Sequence, residues 1–178
     1  MATTGAGGGP IPMTPSGLRR LKEELKVLQG PERTKISREI EVARAHGDLK
    51  ENAEYHAAKE KQSHIEGRIL DIGDWIARAE VIDVSKLKGD KVIFGATVRL
   101  VDLDTDKEVT YRLVGELEAD IKRRLLSVTS PVARGLIGKQ VGDLATIQSP
   151  GGAREYEIKA VSFEDLDEGA QTASPAAP

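Results

Sequence analysis

Two carboxylates stand three residues apart in a short polar stretch between two segments with helical periodicity. The stretch is HGDLKENAEY, residues 46 to 55, and the carboxylates belong to Asp48 and Glu51. Carboxylate oxygens are the ligands that hard cations such as Mg²⁺ prefer. Two carboxylates do not complete an octahedral site, so metal chemistry here requires further ligands from a second macromolecule. In a two-metal phosphoryl site, such an ion activates the attacking water or stabilises the leaving oxygen.

The same spacing also has a purely structural interpretation. Gly47 is suited to ending the first helix in a left-handed conformation. Asp48 and Glu51 match the D-x-x-E spacing of a capping box, with Asp48 as N-cap and Glu51 at N3 of the second helix. Spacing alone favours capping over metal binding, because capping boxes are common.

Basic side chains flank the stretch on both helices. Acidic residues interleave with them, so a solvated surface with i,i+4 ion pairs is the simpler interpretation. The alternative is a small patch that steers RNA phosphates past the tip, with Arg44, Lys50 and Lys59 as its main candidates. His46 and His56 bracket the stretch but match no zinc motif. The basic residues in question are Arg38, Arg44, Lys50, Lys59, Lys61 and Arg68.

Two amphipathic helices must position the stretch. Thr14 and Pro15 form an N-cap and N1 pair at the start of the first helix. Gly30-Pro31 interrupts its apolar positions, which predicts a kink rather than a stop. Folding the two narrow apolar seams together gives an antiparallel coiled-coil hairpin whose second helix is roughly 40 Å long. The seams are Leu18, Leu21, Leu25, Leu28, Ile36, Ile40 and Ala43, and Tyr55, Ala58, Gln62, Ile65, Ile69, Ile72, Ile76 and Ala79.

From Val81 onward β-branched residues and partial alternation predict a β domain. One short helix is expected in SPVARGLIGK, with Ser130 as N-cap, Pro131 at N1 and Gly138 as the left-handed residue that ends it. We place a hairpin at 13–84, this domain at 85–165, and disordered tails at 1–12 and 166–178. Strands are predicted at 91–103, 108–114, 125–128 and 143–148, and in the segment after the Gly-Gly turn within 149–163.

Composition narrows the functional classes. The chain has 178 residues, a net charge of −3 and no cysteine, so disulfides and thiolate metal sites are excluded and bulk attraction to nucleic acid is not expected. The first residues lack the pattern of a secretory signal, and no apolar run approaches the length of a membrane span. We expect a cytoplasmic protein without a membrane partner.

The segment ARAHGDLKENAEYHAAKEKQ, Ala43 to Gln62, resembles the signature of the bacterial Gre transcript-cleavage factors. VIFGATV, TYRLVG, SVTSPVARGLIGK and SPGG are similar to the same family, in the same order and spacing. The resemblance implies an α+β protein, with an N-terminal antiparallel α-helical coiled-coil hairpin and a C-terminal FKBP-like β domain with one short helix.

The resemblance also implies a function. Members of the family dock at the rim of the secondary channel of bacterial RNA polymerase and stimulate the polymerase's own hydrolysis of the backtracked RNA 3′ end. Asp48 and Glu51 match the family's tip acidic residues, which help to hold a Mg²⁺ ion shared with the polymerase and the attacking water. The chain would then be a monomeric accessory factor, with no stably bound cofactor and no enzymatic activity alone.

Three further expectations complete the sequence-based account. Ser127, Ser130, Pro131 and Arg134 are predicted to shape the polymerase-docking face, although Ser130 and Pro131 also cap a helix whose Val132, Leu136 and Ile137 are expected to cover the sheet. The first alternative function is a Gre-like inhibitor that binds the channel without cleavage activity. The second is a coiled-coil adaptor without a polymerase role.

Overall fold

The architecture was obtained from a computed structural model, which describes residues 8–149 and 152–163. The predicted tail at 166–178 and most of the one at 1–12 lie outside the described residues. Ile11 and Pro12, which the sequence assigns to the first tail, instead belong to strand β1 (Ile11–Met13). This strand pairs with β2 (Ala79–Val81) in a two-stranded sheet.

Contacts divide the chain into two compact units. One contains Leu18–Ala79, and the other combines Pro12–Gly17 with the chain from Glu80 onward. The sequence-based boundaries were 13–84 and 85–165. Among the described residues, no helix is both long and apolar enough to cross a membrane.

The helical unit is built from three α-helices. Helix α1 (Pro15–Val27) passes into a π-helical turn (Leu28–Glu32) and then into α2 (Arg33–Ala45), while α3 (Ala53–Ala77) returns along them. Thr14 Oγ1 accepts a hydrogen bond from Gly17 N at 3.1 Å, which confirms the predicted N-cap. Pro31 lies inside the π-turn, and Thr34 Oγ1 donates to Gly30 O at 3.0 Å. The chain therefore continues through Gly30-Pro31 in helical form, as predicted.

Ion pairs show that α3 runs antiparallel to α1 and α2. As the residue number rises along the first half of the hairpin, the number of its ion-pair partner on α3 falls. Apolar seam positions on both halves are buried or half-buried, so the predicted hairpin is confirmed. Glu24 pairs with Arg68 at 2.7 Å, Arg33 with Glu66, and Glu39 with Lys61 at 3.2 Å.

The β unit contains a five-stranded sheet and one short helix, which confirms the predicted α+β class. The strand order is β5-β4-β3-β7-β6, and all pairs are antiparallel except the parallel β4–β5 pair. Helix α4 (Pro131–Leu136) lies between β5 and β6 in the chain. The strands are β3 (Thr97–Asp102), β4 (Glu108–Val114), β5 (Leu125–Ser127), β6 (Leu144–Ser149) and β7 (Gly152–Ser162).

One predicted strand is too long at its start. The sequence placed a strand from Lys91, but β3 begins at Thr97. Val92 N donates to Lys139 O at 2.8 Å and its carbonyl accepts from Gly138 N at 2.8 Å. Gly95 has a φ of +82°, which is incompatible with a regular strand. Val92 is thus held by the residues just after α4, and pairing with β4 begins only near Gly95 and Ala96, which bond Leu113.

The core of the β unit is aliphatic. Leu136 is fully buried, as predicted, and Val132 packs at the edge of the core, whereas Ile137 is 41% exposed. The predicted covering role of Ile137 is wrong, because α4 ends at Leu136 and the chain turns outward through Gly138 at a φ of +87°. Fully buried core members are Val92, Ala96, Val98, Leu100, Leu113, Ala133, Leu136, Ala145 and Ile158.

A buried carboxylate ties the residues around the start of α1 to the β domain. Glu118 is 3% exposed, and its Oε2 accepts from Thr14 N at 3.0 Å and from Gly115 N at 3.1 Å. Thr14 Oγ1 donates to the other carboxylate oxygen. Buried carboxylates normally require such donors, because the desolvation of an unpartnered charge is very unfavourable.

Candidate acidic tip of the helical hairpin

A seven-residue connection, 46–52, joins the two halves of the hairpin. Helix α2 ends at Ala45, His46 is its C-cap, and Gly47 adopts a φ of +84°. His46 N donates to Ala43 O at 3.2 Å and Gly47 N to Arg44 O at 3.3 Å, which satisfies carbonyls at the end of the helix. The predicted role of Gly47 as the left-handed terminator is therefore confirmed.

The second helix is capped by a different residue from the one predicted. Asn52 is the N-cap of α3, and its Oδ1 accepts from Tyr55 N at 3.0 Å. The capping-box interpretation of Asp48 and Glu51 is therefore wrong. Helix α3 begins at Ala53, so Glu51 precedes the N-cap, and Asp48 lies four residues before the N-cap.

The two candidate carboxylates are exposed and close together. Both line one concavity of about 400 Å³ at the tip. Asp48 Oδ1 accepts only a long bond of 3.3 Å from Lys50 N, and among the described residues Glu51 has no hydrogen bond or ion pair through its side chain. The remaining lining residues are His46, Gly47, Asn52, Ala53 and Glu54.

The donor set at the tip fits a partial metal site. Asp48 and Glu51 offer oxygen atoms, the donor type suited to Mg²⁺. Within residues 8–149 and 152–163, no cluster of three histidine or acidic side chains is arranged to hold a metal ion. Holding such an ion would therefore require ligands in addition to these two carboxylates.

Two histidines make polar contacts around the tip. His46 Nδ1 lies 2.8 Å from Glu54 Oε2, joining the C-cap of α2 to the first turn of α3. His56 Nε2 lies 3.0 Å from Lys50 O, on the connection itself. Glu54 is thus engaged by a neighbour, unlike Glu51.

The three residues of the predicted RNA-steering patch are all exposed. Arg44 lies in the last turn of α2, Lys50 on the connection, and Lys59 in α3, where its Nζ donates to Gln62 Oε1 at 2.7 Å. In the described hairpin none of the three lines the acidic concavity. Lys50 nevertheless belongs to the connection that carries Asp48 and Glu51, and its backbone N donates to Asp48 Oδ1 at 3.3 Å.

The predicted docking residues cluster around the start of α4. Ser130 Oγ accepts from Ala133 N at 3.2 Å and Pro131 occupies N1, so the predicted caps are confirmed. Ser127 Oγ lies 2.7 Å from Thr129 Oγ1. Pro131 and Arg134 are exposed. Ser130 thus caps α4 and Ser127 bonds within the preceding turn, whereas Arg134 is exposed on the helix surface.

Sequence reasoning missed Asn52 and Glu118. Asn52 directly precedes the helical run AEYHAAKEKQ, and Asn ranks among the strongest N-cap residues, so a signal for it was present. The sequence carries no such signal for Glu118. Its three donors are Thr14 N, Thr14 Oγ1 and Gly115 N, and Thr14 comes close only in the folded chain.

The chain combines an α-helical hairpin that has an exposed acidic tip with a β unit later in the sequence. Two family models match it almost end to end. The first, described as Transcription elongation factor, N-terminal, matches residues 11–81, and the second, described as Transcription elongation factor, GreA/GreB, C-term, matches residues 87–163. The chain belongs to the GreA/GreB family of transcription elongation factors.

Curated relatives agree with this assignment. The chain is 63% identical over 153 residues to the transcription elongation factor GreA of Anaeromyxobacter sp. (strain K), covering 86% of this chain and 92% of that protein. It is 58% identical to GreA of Bartonella tribocorum, covering 86% and 98%. Among solved structures, the GreA factor homolog 1 of Thermus thermophilus is 24% identical, with coverage of 86% and 99% and a TM-score of 0.39. So distant a structural likeness has no bearing on function.

Proposed function

We propose that this chain binds bacterial RNA polymerase and stimulates the polymerase's intrinsic hydrolysis of the RNA 3′ end in backtracked complexes. The single observation that carries the proposal is the freedom of the two tip carboxylates. Asn52 caps α3 in their place, so Asp48 and Glu51 remain exposed in one concavity. Exposed carboxylates at the end of a helical hairpin are available to a partner's active site.

The mechanism assigns a limited role to each residue. Asp48 and Glu51 would supply oxygen ligands to a Mg²⁺ ion that the polymerase also coordinates, and accept hydrogen bonds from the attacking water. Bound there, the ion supplies positive charge that activates this water or stabilises the leaving oxygen. The remainder of the hairpin positions these groups, and the polymerase provides the other ligands and the RNA.

Attachment to the polymerase is assigned to the β domain. Arg134 is exposed on α4 beside Pro131, which makes it a candidate contact at the rim of the secondary channel. Arg44, Lys50 and Lys59 remain candidates for guiding the RNA, because phosphate attraction requires exposed cations and not a formed pocket. We propose that the factor acts as a monomer.

A channel-binding inhibitor without cleavage activity is not favoured. The relatives at 58% and 63% identity are named elongation factors, and the exposed acidic pair is present at the tip. An inhibitor that acts by obstruction has no need for two carboxylates held free of other contacts.

The test is a cleavage assay on a stalled, backtracked bacterial RNA polymerase with labelled RNA. Addition of the full chain with Mg²⁺ should release short 3′-terminal RNA fragments and return the complex to elongation. The chain alone should not degrade the same RNA. Failure to accelerate cleavage at saturating concentration, under conditions in which the chain binds the polymerase, would contradict the proposal.

A further inference from the structure

The side chain of Asn52 makes hydrogen bonds in two directions along the chain. Its Oδ1 accepts from Tyr55 N at 3.0 Å, which caps α3. Its Nδ2 donates to Ala43 O at 2.6 Å and to Gly47 O at 3.2 Å. A single side chain thus joins the last turn of α2, the connection and the first turn of α3.

These contacts exceed what capping requires. An N-cap needs only an acceptor, which Ser, Thr or Asp also provides. The amide adds two donors, and both find carbonyl partners on the other side of the connection. Ala43 is 4% exposed and Asn52 is half-buried, so water competes less for this bond than for the exposed His46–Glu54 contact.

The bond to Gly47 closes the segment that carries the two carboxylates. Asp48 and Glu51 lie between Gly47 and Asn52. The Asn52 side chain bonds directly to the Gly47 carbonyl and so links the two ends of this segment. The hydrogen bonds between residues of this segment are long: Lys50 N to Asp48 Oδ1 and Glu51 N to Asp48 O are both 3.3 Å. The segment therefore depends for a fixed shape on two side chains at or beyond its end: Asn52, which donates to Gly47 O, and His56, whose Nε2 lies 3.0 Å from Lys50 O.

We infer that Asn52 is a positioning residue for cleavage stimulation. Its two amide donors hold Asp48 and Glu51 in the orientation in which they meet the polymerase's reacting groups. The inference rests on the proposed function. Small misplacements of reacting groups lower rates steeply, by about 100-fold for a displacement near 1 Å.

Asn52→Ser separates positioning from capping. Serine retains the cap acceptor, but it has no amide group to reach Ala43 O and Gly47 O. We expect a maximal cleavage rate reduced by about 10- to 100-fold. The factor concentration that gives half-maximal stimulation should be unchanged, because the β domain is not altered. Helix content and melting temperature should stay close to wild type, and amide hydrogen exchange at 48–51 should become faster.

Three variants make the outcome decisive. Asn52→Ala, which also loses the cap, should lower both the cleavage rate and the melting temperature. If Asn52→Ser loosened the whole hairpin by circular dichroism, Asn52→Asp would replace it, because it keeps the acceptor and the side-chain shape while removing both donors. Asp48→Asn serves as the functional reference in the same assay.

The inference is overturned if the cap-retaining variant cleaves RNA as fast as wild type, or if only its half-maximal concentration changes. If Asp48→Asn abolishes cleavage while Asn52→Ser has no effect, the proposed function survives and the positioning role fails. If Asp48→Asn cleaves like wild type, the role assigned to Asp48 fails, and if the wild-type chain itself does not accelerate cleavage, the proposed function fails. Hydrogen exchange at 48–51 then decides alone whether Asn52 holds the connection.

Discussion

The carboxylate of Glu118 occupies the space that a side chain on Gly17 would require. A Cβ placed on Gly17 would lie 2.1 Å from Glu118 Oε1 and 2.3 Å from its Cδ. The carboxylate cannot withdraw without loss, because it is buried and accepts hydrogen bonds from Thr14 and Gly115. Helix α1 therefore needs a glycine in its first turn.

Gly17→Ala should destabilise the protein, although alanine is ordinarily the better helix residue. We expect a loss of about 1–3 kcal/mol in the free energy of unfolding, the usual range for overpacking. The measurement is chemical denaturation of the full chain. Gly67→Ala is the matched control, because Gly67 lies in α3 with nothing within 4 Å of its Cβ position. It should stabilise by about 0.5–1 kcal/mol, and equal effects of the two substitutions would contradict the steric account.

Asp102 should make stability depend on pH in the acid range. Burial raises the pKa of its carboxyl group, but donors from Asp104 N, Thr105 N and Arg154 outweigh burial and hold this pKa below its ordinary value. A lowered pKa in the folded state means that the ionised group favours folding above the unfolded-state pKa of about 3.9. This stabilisation is lost as the pH falls through the folded pKa.

Thermal unfolding between pH 7 and pH 2 tests this expectation. Asp102→Asn should be less stable than wild type at pH 7, and the difference should shrink at the acid end. Asp104→Asn, at an exposed position in the same turn, should leave the profile unchanged. A difference between Asp102→Asn and wild type that stayed constant with pH would show that ionisation of Asp102 does not contribute.

Arg134→Ala tests the docking role of α4. Arg134 is exposed, so its removal should change the free energy of unfolding by no more than about 0.5 kcal/mol. Affinity for RNA polymerase should fall several-fold, measured by binding of a labelled factor to the core enzyme. Lys88→Ala, another exposed cation in the same unit, is the control. An unchanged affinity, or a large loss of stability, would remove Arg134 from the docking surface.

The helical half of the fold could be predicted because its signals are local. Thr14 and Pro15 mark the start of α1, and the buried seam follows apolar spacing along both halves of the hairpin. The boundaries of β4 were also predicted, because EVTYRLV is rich in β-branched residues and alternates over most of its length. By contrast, the start of β3 could not be read locally, since Val92 is held by Gly138 and Lys139.

At the tip, the sequence assigned Asp48 and Glu51 a capping role that Asn52 performs instead. Asp48 and Asn52 are both favourable N-cap residues, and D-x-x-E spacing favoured the first. In the structure Asn52 is the N-cap of α3, and its amide also donates to Ala43 O on the other side of the connection. That contact joins residues on opposite helices, so helical periodicity carries no signal for it.

We propose that the free carboxylates of Asp48 and Glu51 act in the polymerase active centre. Asp48→Asn and Glu51→Gln retain side-chain size and remove one charge each, and because neither residue caps a helix, both variants should melt close to wild type. Glu23→Gln, at an exposed position on α1, is the matched control.

The decisive measurement is the rate of RNA cleavage in a backtracked RNA polymerase complex at saturating factor and fixed Mg²⁺. We expect Asp48→Asn and Glu51→Gln each to lower this rate by about 100-fold or more, with polymerase binding intact, while Glu23→Gln cleaves like wild type. Wild-type cleavage rates for both tip variants would contradict the proposal.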